Sequence, residues 1–320
     1  MTRIIREIRS EIETIEKAKA LYEEASFTSR VEAIDLIEFR IVDRIENMLP
    51  TSDQVGELSA LKQRAEMVKN HLEAINDKLL RRLRANTRSA NFTGADLKGW
   101  LDQYVESASH ERTQDQVGYD SLDVFVNSLL RADVAPEETK EREPEMVFYQ
   151  PTPVRIVLEL IEKADFSEDD VLYDLGSGLG QVAILANLLT GVRAKGIEFE
   201  PAYCDYARRC ARRLNLSRVE FMNVDAREAD YSDGTVFFMY TPFVGALLQE
   251  VLEKLEGESR NRLIRIYTYG PCTVQVSNQS WLERVDHGAK SVYRLGAFKS
   301  IWPLKTSGCS PTAGPCPPAA

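Results

Sequence analysis

Short apolar segments alternate with helical segments from about residue 171 onward, and this alternation constrains the fold more than any other feature of the sequence. β-branched and aromatic residues dominate the segments VLYDLG, AKGIEF, VEFMNVD, GTVFFMY, RLIRIYTYG, SWLERVD and SVYRLGAFKSIW. Helical stretches at about 180–190, 202–214 and 244–256 separate most of them. Strands that alternate with helices of this length are typical of βαβ units. The sequence therefore predicts an α/β fold with a mostly parallel sheet, closed at one edge by an antiparallel pair from the last two segments.

Residues 1–131 have helical periodicity instead. A heptad seam runs along the longest predicted helix, with apolar residues alternating at spacings of three and four: Leu58, Leu61, Ala65, Val68, Leu72, Ile75 and Leu79. We expect an all-helical domain, a bundle or a coiled-coil-like hairpin, that packs on a catalytic domain or forms a homodimer through its helices. A substrate-binding lid is the alternative.

Two further segments are assigned from composition. Residues 132–145 are polar, contain two prolines and are interpreted as a linker. Residues 305–320 are rich in Pro, Ser, Gly and Ala, which predicts a disordered tail. The domain that carries the alternating pattern then spans residues 146–304.

Charge and composition argue against several classes of protein. Asp and Glu number 50 against 40 Lys and Arg, so a broad basic face for duplex nucleic acid is not expected. The cysteines form no CxxC pair and the three histidines are far apart, so neither a metal site nor a His-centred triad is expected. Because apolar runs are short and the N-terminus lacks a signal-peptide core, we expect no membrane span and a cytoplasmic location.

A glycine-rich loop, Asp174-Leu-Gly-Ser-Gly-Leu-Gly-Gln181, follows the first predicted strand and opens an apolar helix. Glycines allow a tight turn and the close approach of a ligand, and the helix N-terminus beyond them offers free N–H groups. The spacing GxGxG differs from the GxGxxG of dinucleotide-binding folds. Asp174, two residues before the first glycine, would repel a pyrophosphate but suits a ligand with an ammonium group, such as a nucleoside that carries an amino acid.

Two more carboxylates end the next two predicted strands. Glu198 ends the second, where a carboxylate binds ribose hydroxyls in such folds, and Asp225 ends the third, within reach of an adenine edge. The carboxyl ends of parallel strands lie at the same edge of a sheet, where such folds bind their ligands. We therefore expect the loop and the three acids to form one site.

Residues 146–302 resemble a class I S-adenosylmethionine-dependent methyltransferase. DLGSGLGQ matches the first motif of that family, GIEFEP the acid of its second strand and NVDA the acid of its third. The resemblance implies a Rossmann-like seven-stranded methyltransferase sheet, with S-adenosyl-L-methionine as cofactor. It also implies the cofactor-binding residues Asp174, Gly176, Ser177, Gly178, Gly180, Gln181, Glu198 and Asp225.

The segment Phe148-Tyr-Gln-Pro-Thr-Pro-Val-Arg155 carries a finer resemblance. It is similar to the YxPTP lead-in of a group that includes the non-SET protein lysine methyltransferases, and DLGSGLGQ resembles the histone-lysine enzyme of that group. The resemblance implies that the lead-in folds over the methionine end of the cofactor. Thr152 would then bind the cofactor and Tyr149 would lie near the reacting methyl group as a catalytic residue. Alternatively, the prolines only set the entry angle of a helix.

The fourth predicted strand ends in Met239-Tyr-Thr-Pro-Phe243, where methyltransferases place residues that face the acceptor. DNA adenine and glutamine methyltransferases carry an Asn/Asp-Pro-Pro-aromatic motif there, and its absence disfavours an amino group on a base or an amide. Tyr240 is the second candidate catalytic residue, because it can line an acceptor channel and orient a lysine amine. Tyr267 and Tyr269 are candidates for further aromatic walls.

These observations predict methyl transfer to a protein lysine amine by in-line displacement. Such a reaction needs alignment of donor and acceptor rather than a metal or a covalent nucleophile. The acidic surface suits basic protein substrates, and nucleic acid is not an expected partner. Two alternatives stay open: a small-molecule methyltransferase whose helical domain is a lid or dimer arm, and a cofactor-bound scaffold that recruits a partner.

Overall fold

The structure is a computed structural model that describes residues 2–87, 89, 92–105, 119–130, 134–286 and 291–301. The tail predicted at 305–320 lies outside these residues. Within the described ranges, no helix is both long and apolar enough to cross a membrane. In the same ranges, no group of three or more His, Cys, Asp or Glu side chains is arranged to hold a metal ion.

Helices form the N-terminal part of the described chain. Their bounds are α1 (Thr2–Lys17), α2 (Phe27–Asp35), α3 (Asp43–Met48), α4 (Val55–Asn86), α5 (Gly94–Tyr104) and α6 (Ser121–Leu130). A π-helical stretch, Leu36–Val42, joins α2 to α3. Thr93, just before α5, caps it with a capping box, in which its side chain and that of Asp96 each accept the other residue's backbone N–H. The helical character predicted for this part of the chain is confirmed.

The heptad seam of α4 is buried inside the chain except at Ile75, which is partly exposed. Leu58, Ala65 and Leu72 are fully covered, in a hydrophobic cluster with Ile8 of α1 and Ile41 of the π-helical stretch. Because the chain's own helices cover this seam, a homodimer through the helices would need another face. The homodimer stays a prediction.

A seven-stranded sheet with flanking helices forms the second part. The strands are β1 (Val171–Leu175), β2 (Arg193–Glu198), β3 (Val219–Asn223), β4 (Val236–Met239), β5 (Arg265–Thr268), β6 (Leu282–Arg284) and β7 (Gly296–Ser300). The helices are α7 (Val154–Ala164), α8 (Gln181–Thr190), α9 (Pro201–Arg213), α10 (Gly245–Ser259) and α11 (Cys272–Ser277). Only α11 has no counterpart among the helices expected here from the sequence.

The strand order is β3-β2-β1-β4-β5-β7-β6. The first five strands along the chain pair in parallel, and β7 pairs antiparallel with both β5 and β6. The predicted Rossmann-like sheet with its antiparallel edge is therefore confirmed. β1 lies between β2 and β4, so the strand order reverses at β1, and ligands of open α/β sheets bind at the carboxyl edge of such a point.

The helical part and the sheet share a hydrophobic core. Phe125 of α6 and Val157 of α7 are fully buried in a cluster that also takes in side chains of β1 and α8. Gly94, the first residue of α5, approaches α8 so closely that a β-carbon there would collide with the backbone carbonyl of Leu188. A lid needs a face that separates from the catalytic part, so this packing disfavours the lid. The exact domain boundaries stay predictions.

Candidate active site

The loop between β1 and α8 turns on three glycines. Gly176, Gly178 and Gly180 have φ values of +72°, +51° and +85°, a region that other residues rarely adopt. The N–H groups of Gly176 and Ser177 both donate to the carbonyl of Ile197, at 2.9 Å each. The loop is thereby fastened to the end of β2.

Neighbouring segments pack directly against this loop. A β-carbon on Gly176 would collide with the side chain of Pro242, which follows β4. One on Gly178 would collide with the ring of Tyr149, which belongs to the lead-in before α7. The glycines are therefore needed both for their backbone conformation and for the close approach of these two segments.

A cavity of about 370 Å³ opens beside the loop, at the carboxyl ends of the central strands. Most of the predicted site residues line it: Tyr149, Thr152, Asp174, Gly176, Ser177, Gln181, Glu198, Asp225 and Tyr240. Gly178 and Gly180 do not line it, and they shape the turn instead. A cavity of this volume suits a small ligand such as a nucleoside.

Three polar side chains in the cavity wall carry atoms without a hydrogen-bond partner. Asp174 Oδ2, Ser177 Oγ and both amide atoms of Gln181 are buried, and none has a partner in the part of the chain that the structure describes. Buried polar atoms of folded proteins are nearly always hydrogen-bonded, so these atoms are available to a ligand. The carboxylate suits an ammonium group, and the hydroxyl and the amide suit a carboxylate. These residues therefore fit the methionine end of S-adenosylmethionine.

Asp174 and Glu198 bring two carboxyl groups into the same buried wall. Burial, followed by the charge of Glu198, raises the pKa of Asp174 to about 8. Burial also raises the pKa of Glu198, against the opposing effect of the backbone N–H groups that donate to it. A cation stabilises the ionised form of a carboxyl group. The pair therefore favours a positively charged ligand over an anionic one.

Glu198 and Glu200 have different partners although they are two residues apart. Glu198 accepts from the N–H of Gly178 at 2.6 Å and from that of Glu200 at 2.8 Å, which ties the loop to β2. Glu200 accepts from the N–H and hydroxyl of Thr139, at 2.9 and 2.6 Å, and from the N–H of Lys140 at 2.8 Å. Glu200 thus anchors the segment before the lead-in at the cavity.

Asp225 lines the cavity with its carboxylate held by one arginine. Nε of Arg227 donates to Oδ1 at 3.0 Å, and its terminal nitrogen donates to Oδ2 at 2.6 Å. The same terminal nitrogen donates to Glu143 at 2.7 Å. Hydrogen bonds from Arg227 lower the pKa of Asp225 in spite of its partial burial. The adenine contact predicted for Asp225 would therefore involve an ionised carboxylate in a fixed orientation.

The lead-in, together with Met146 and Val147 just before it, runs along the cavity to the start of α7. Met146 forms an antiparallel bridge with Phe243, which ties the lead-in to the segment after β4. Tyr149 then lies over the glycine loop, and Thr152 is buried. Burial raises the pKa of Tyr149, so its phenol stays protonated across the physiological range.

Aromatic side chains form a second wall and the mouth of the cavity. Tyr240 and Tyr293 line the cavity, and the buried ring of Tyr269, which does not line it, lies 4.8 Å from the ring of Tyr240 and 6.3 Å from that of Tyr293, between centroids. The hydroxyl of Tyr240 donates to Oε1 of Gln150 at 3.2 Å. Tyr293 and Phe148 line the cavity and are 46% and 54% exposed, so an aromatic surface leads from solvent to Tyr240.

Neither Tyr267 nor Tyr269 lines the cavity, contrary to the sequence-based expectation of further aromatic walls. Both are buried, and the hydroxyl of Tyr267 donates to the carbonyl of Lys163 at 3.1 Å. Tyr269, just beyond the carboxyl end of β5, packs against Tyr240 and supports the wall without lining the cavity, whereas Tyr267 lies within the strand. Strand residues before that end are covered by the flanking helix, here α7, and pack in the core.

A family profile and a curated relative match the part of the chain that builds this site. The profile of the family described as "Histone methylation protein DOT1" matches residues 145–250. A protein-lysine N-methyltransferase of Saccharolobus islandicus (strain REY15A) is 32% identical over 109 residues, which are 33% of this chain and 68% of that protein. The chain belongs to the class I S-adenosylmethionine-dependent methyltransferases. It resembles the non-SET protein-lysine methyltransferases among them.

Solved structures of other methyltransferases are also similar to this methyltransferase. An RNA methyltransferase from Salinibacter ruber, solved in complex with S-adenosyl-L-homocysteine, is 29% identical with a TM-score of 0.38, over 47% of this chain and 92% of that one. A precorrin-6y C5,15-methyltransferase from Geobacter metallireducens GS-15 is 16% identical with a TM-score of 0.38, over 48% and 92%.

Sequence reasoning missed several residues that line the cavity of the methyltransferase. Lys140 comes from the segment interpreted as a linker, and its ammonium lies 3.2 Å from the ring centroid of Phe199. Gln150 and Tyr293 were also missed, although both lie at the aromatic mouth. No local pattern marks Tyr293. Phe199, by contrast, directly follows Glu198 at a strand end, and this position predicts a residue at the ligand-binding edge of the sheet.

Proposed function

We propose that this methyltransferase transfers the methyl group of S-adenosylmethionine to a lysine amine of a protein. The observation that carries the proposal is the tyrosine-lined mouth, which opens on the same cavity as the unpartnered atoms of Asp174, Ser177 and Gln181. Aromatic faces attract an ammonium group, and a long side chain can enter between them while its backbone stays outside. The relative from Saccharolobus islandicus, which is named a protein-lysine N-methyltransferase, supports the same acceptor.

The cavity residues divide between the two ends of the cofactor. Asp174, Ser177 and Gln181, with Thr152 beside them, would hold the methionine end, and Glu198 and Asp225 would hold the nucleoside end. When bound, S-adenosylmethionine supplies a methyl group on a positively charged sulfur, ready for in-line displacement. The task of the chain is then to align the acceptor with that methyl group and to keep water away.

A lysine amine has to lose a proton before it can attack. Partial burial between Tyr240 and Tyr293 favours the neutral amine, since desolvation lowers the pKa of a lysine. Burial raises the pKa of Tyr240, so its phenol is not a base near neutral pH. Because the hydroxyl hydrogen of Tyr240 is directed to Gln150, its oxygen can accept an N–H of the amine and orient the nitrogen lone pair. The released proton leaves through the mouth to solvent water.

The first experiment is the transfer of tritiated methyl from S-adenosylmethionine into a desalted cell lysate. Matched samples are treated with protease, nuclease or a small-molecule cutoff filter. Gly178→Arg, whose side chain would collide with the ring of Tyr149 and so disrupt the cavity wall, provides the inactive control. We expect label that passes the filter only after protease treatment. After acid hydrolysis, this label should be recovered as methyl-lysine. Label that passes the filter untreated would replace the proposal with a small-molecule acceptor. Label that nuclease releases would replace it with a nucleic acid.

A further inference from the structure

Asp123, in the first turn of α6, is a buried carboxylate whose main partner lies on another helix. It is 3% exposed, and its Oδ1 accepts from the N–H of Val154, the first residue of α7, at 2.8 Å. Its Oδ2 accepts from the N–H of Asp120 at 3.0 Å. The first N–H groups of a helix have no partner within the helix, and a carboxylate there also complements the helix dipole. Asp123 therefore caps α7 from the helical part of the chain.

A second hydrogen bond joins the same two segments. The hydroxyl of Tyr119, just before α6, donates to the carbonyl of Pro151 at 2.6 Å. Pro151 and Val154 lie on either side of Thr152, which lines the cavity and is 7% exposed. The two contacts thus hold the lead-in on both sides of the residue that faces the cofactor site.

Helix α6 is a rigid base for these contacts. Phe125 and Val126 are fully buried and Leu129 is nearly so, all in the core that α6 shares with α2 and α7. Side chains on a packed helix hold a site more accurately than side chains on a loop. The position of Thr152 is therefore set by a helix outside the predicted methyltransferase domain.

We propose that Asp123 is a positioning residue of this methyltransferase, which fixes Thr152 at the cavity and so supports the affinity for the cofactor. The helical part then contributes to the cofactor site through α6. This inference rests on the cofactor class and on the place of Thr152 at the cavity, and it does not depend on a lysine acceptor.

The test is a double-mutant cycle on binding of S-adenosylhomocysteine, measured by isothermal titration calorimetry. Asp123→Asn keeps the size of the side chain but turns an amide N–H toward the N–H of either Val154 or Asp120, where the carboxylate accepted a hydrogen bond. We expect the Kd to rise about tenfold. Thr152→Val removes the hydroxyl at the cavity. If Asp123 acts through Thr152, the double variant binds no more weakly than the weaker single variant, whereas independent effects would multiply.

Asp170→Asn is the matched control for loss of a buried carboxylate. Asp170 is 7% exposed and accepts from Ser167 and Arg265, each at 2.8 Å, away from the cavity. We expect Asp170→Asn to lower the melting temperature and to leave the Kd unchanged. Should Asp123→Asn behave like this control, or should its effect multiply with that of Thr152→Val, the proposal is wrong.

Tyr119→Phe keeps the proposal testable if Asp123→Asn fails to fold. Tyr119 is 53% exposed, so loss of its hydroxyl removes the bond to Pro151 with little cost in packing. We expect about a threefold rise in the Kd, again without further loss in combination with Thr152→Val. An unchanged Kd in this variant, together with an unfolded Asp123→Asn, would assign Asp123 a structural role only.

Discussion

The ring of Tyr149 lies over Gly178, in the space that a β-carbon on that residue would occupy. Gly178 also has a φ of +51°, and its N–H donates to Glu198 at 2.6 Å. Gly178→Ala must therefore move the ring or open the turn, and either change disturbs the cavity wall. We expect the affinity for S-adenosylhomocysteine to fall at least about tenfold, about 1.4 kcal/mol, as measured by calorimetry.

Gly191→Ala is the matched control for this substitution. Gly191 ends α8 with a φ of +76°, but a β-carbon there would meet nothing within 4 Å. The variant carries a comparable backbone strain, about 1–2 kcal/mol, without the collision. It should melt at a lower temperature and bind S-adenosylhomocysteine as the wild type does. An equal loss of affinity in both variants would mean that strain, not the ring of Tyr149, explains the effect.

Asp174→Asn should make the ligand-free protein more stable while it removes cofactor binding. Burial raises the pKa of Asp174 to about 8, whereas in the unfolded chain an Asp titrates at about 3.9. The folded state binds this proton more tightly than the unfolded chain does, so protonated Asp174 stabilises the fold. That stabilisation is lost as the pH rises from about 4 to about 8. Asn does not ionise. At about pH 8 the variant should therefore melt at least about 2 °C above the wild type, and the difference should vanish toward pH 4.

Asp225→Asn should change the melting temperature in the opposite direction and serves as the control for this prediction. Hydrogen bonds from Arg227 lower the pKa of Asp225, so its charge contributes stability above about pH 4 that is lost on acidification. This variant should melt below the wild type at about pH 8. Identical melting temperatures of Asp174→Asn and the wild type at that pH would show that Asp174 is solvated rather than desolvated.

Cofactor binding should release a proton near neutral pH. Asp174, with a pKa raised to about 8, is mostly protonated in the free protein at about pH 7 and has to ionise to pair with an ammonium group. The observed enthalpy of S-adenosylhomocysteine binding should then vary with the ionisation enthalpy of the buffer. The slope should approach one proton released at about pH 7 and fall toward zero at about pH 9. A slope of zero at both values would contradict the raised pKa.

Local pattern was enough to predict the sheet and the carboxylates at its edge. Asp174, Glu198 and Asp225 each follow an apolar segment, and the rule that parallel strands end at one edge brings them together without further information. The conformation of the glycine loop follows in the same way, because few other residues adopt a positive φ. These features depend on short stretches of sequence and on general rules of topology.

The contacts that complete the cavity depend on packing between distant segments. Glu200 lies only two residues after Glu198, but its carboxylate holds Thr139, in the segment interpreted as a linker. The bond from Val154 to Asp123 likewise joins segments separated by residues with no periodic pattern. Sequence shows that these side chains are polar, but their partners are decided by how the helices pack on the sheet.

Tyr240→Phe should slow methyl transfer without weakening cofactor binding. In the proposed reaction the phenol oxygen of Tyr240 orients the amine, and loss of a single oriented hydrogen bond at a reacting group costs about tenfold or more in kcat. The substrate labelled in the tritium assay is used at saturation, and the affinity for S-adenosylhomocysteine should stay within about twofold. Tyr293→Phe, which also keeps its ring at the mouth, is the matched control and should leave kcat nearly unchanged. Equal kcat in all three proteins would remove Tyr240 from the reaction.

Glu200→Gln should loosen the segment before the lead-in and lower stability in a pH-dependent way. Burial opposes ionisation of Glu200, yet hydrogen bonds from Thr139, Ala202 and Lys140 together lower its pKa. A lowered pKa means stability that is present above the unfolded value of about 4.3 and is lost as the pH falls below it. At about pH 7 the variant should lose about 1–2 kcal/mol of unfolding free energy. Below about pH 4 the variant and the wild type should have the same unfolding free energy. Glu143→Gln, at a more exposed pair with Arg227, should lose less than about 1 kcal/mol. If the unfolding free energies still differ at low pH, the loss comes from packing rather than from the carboxylate charge.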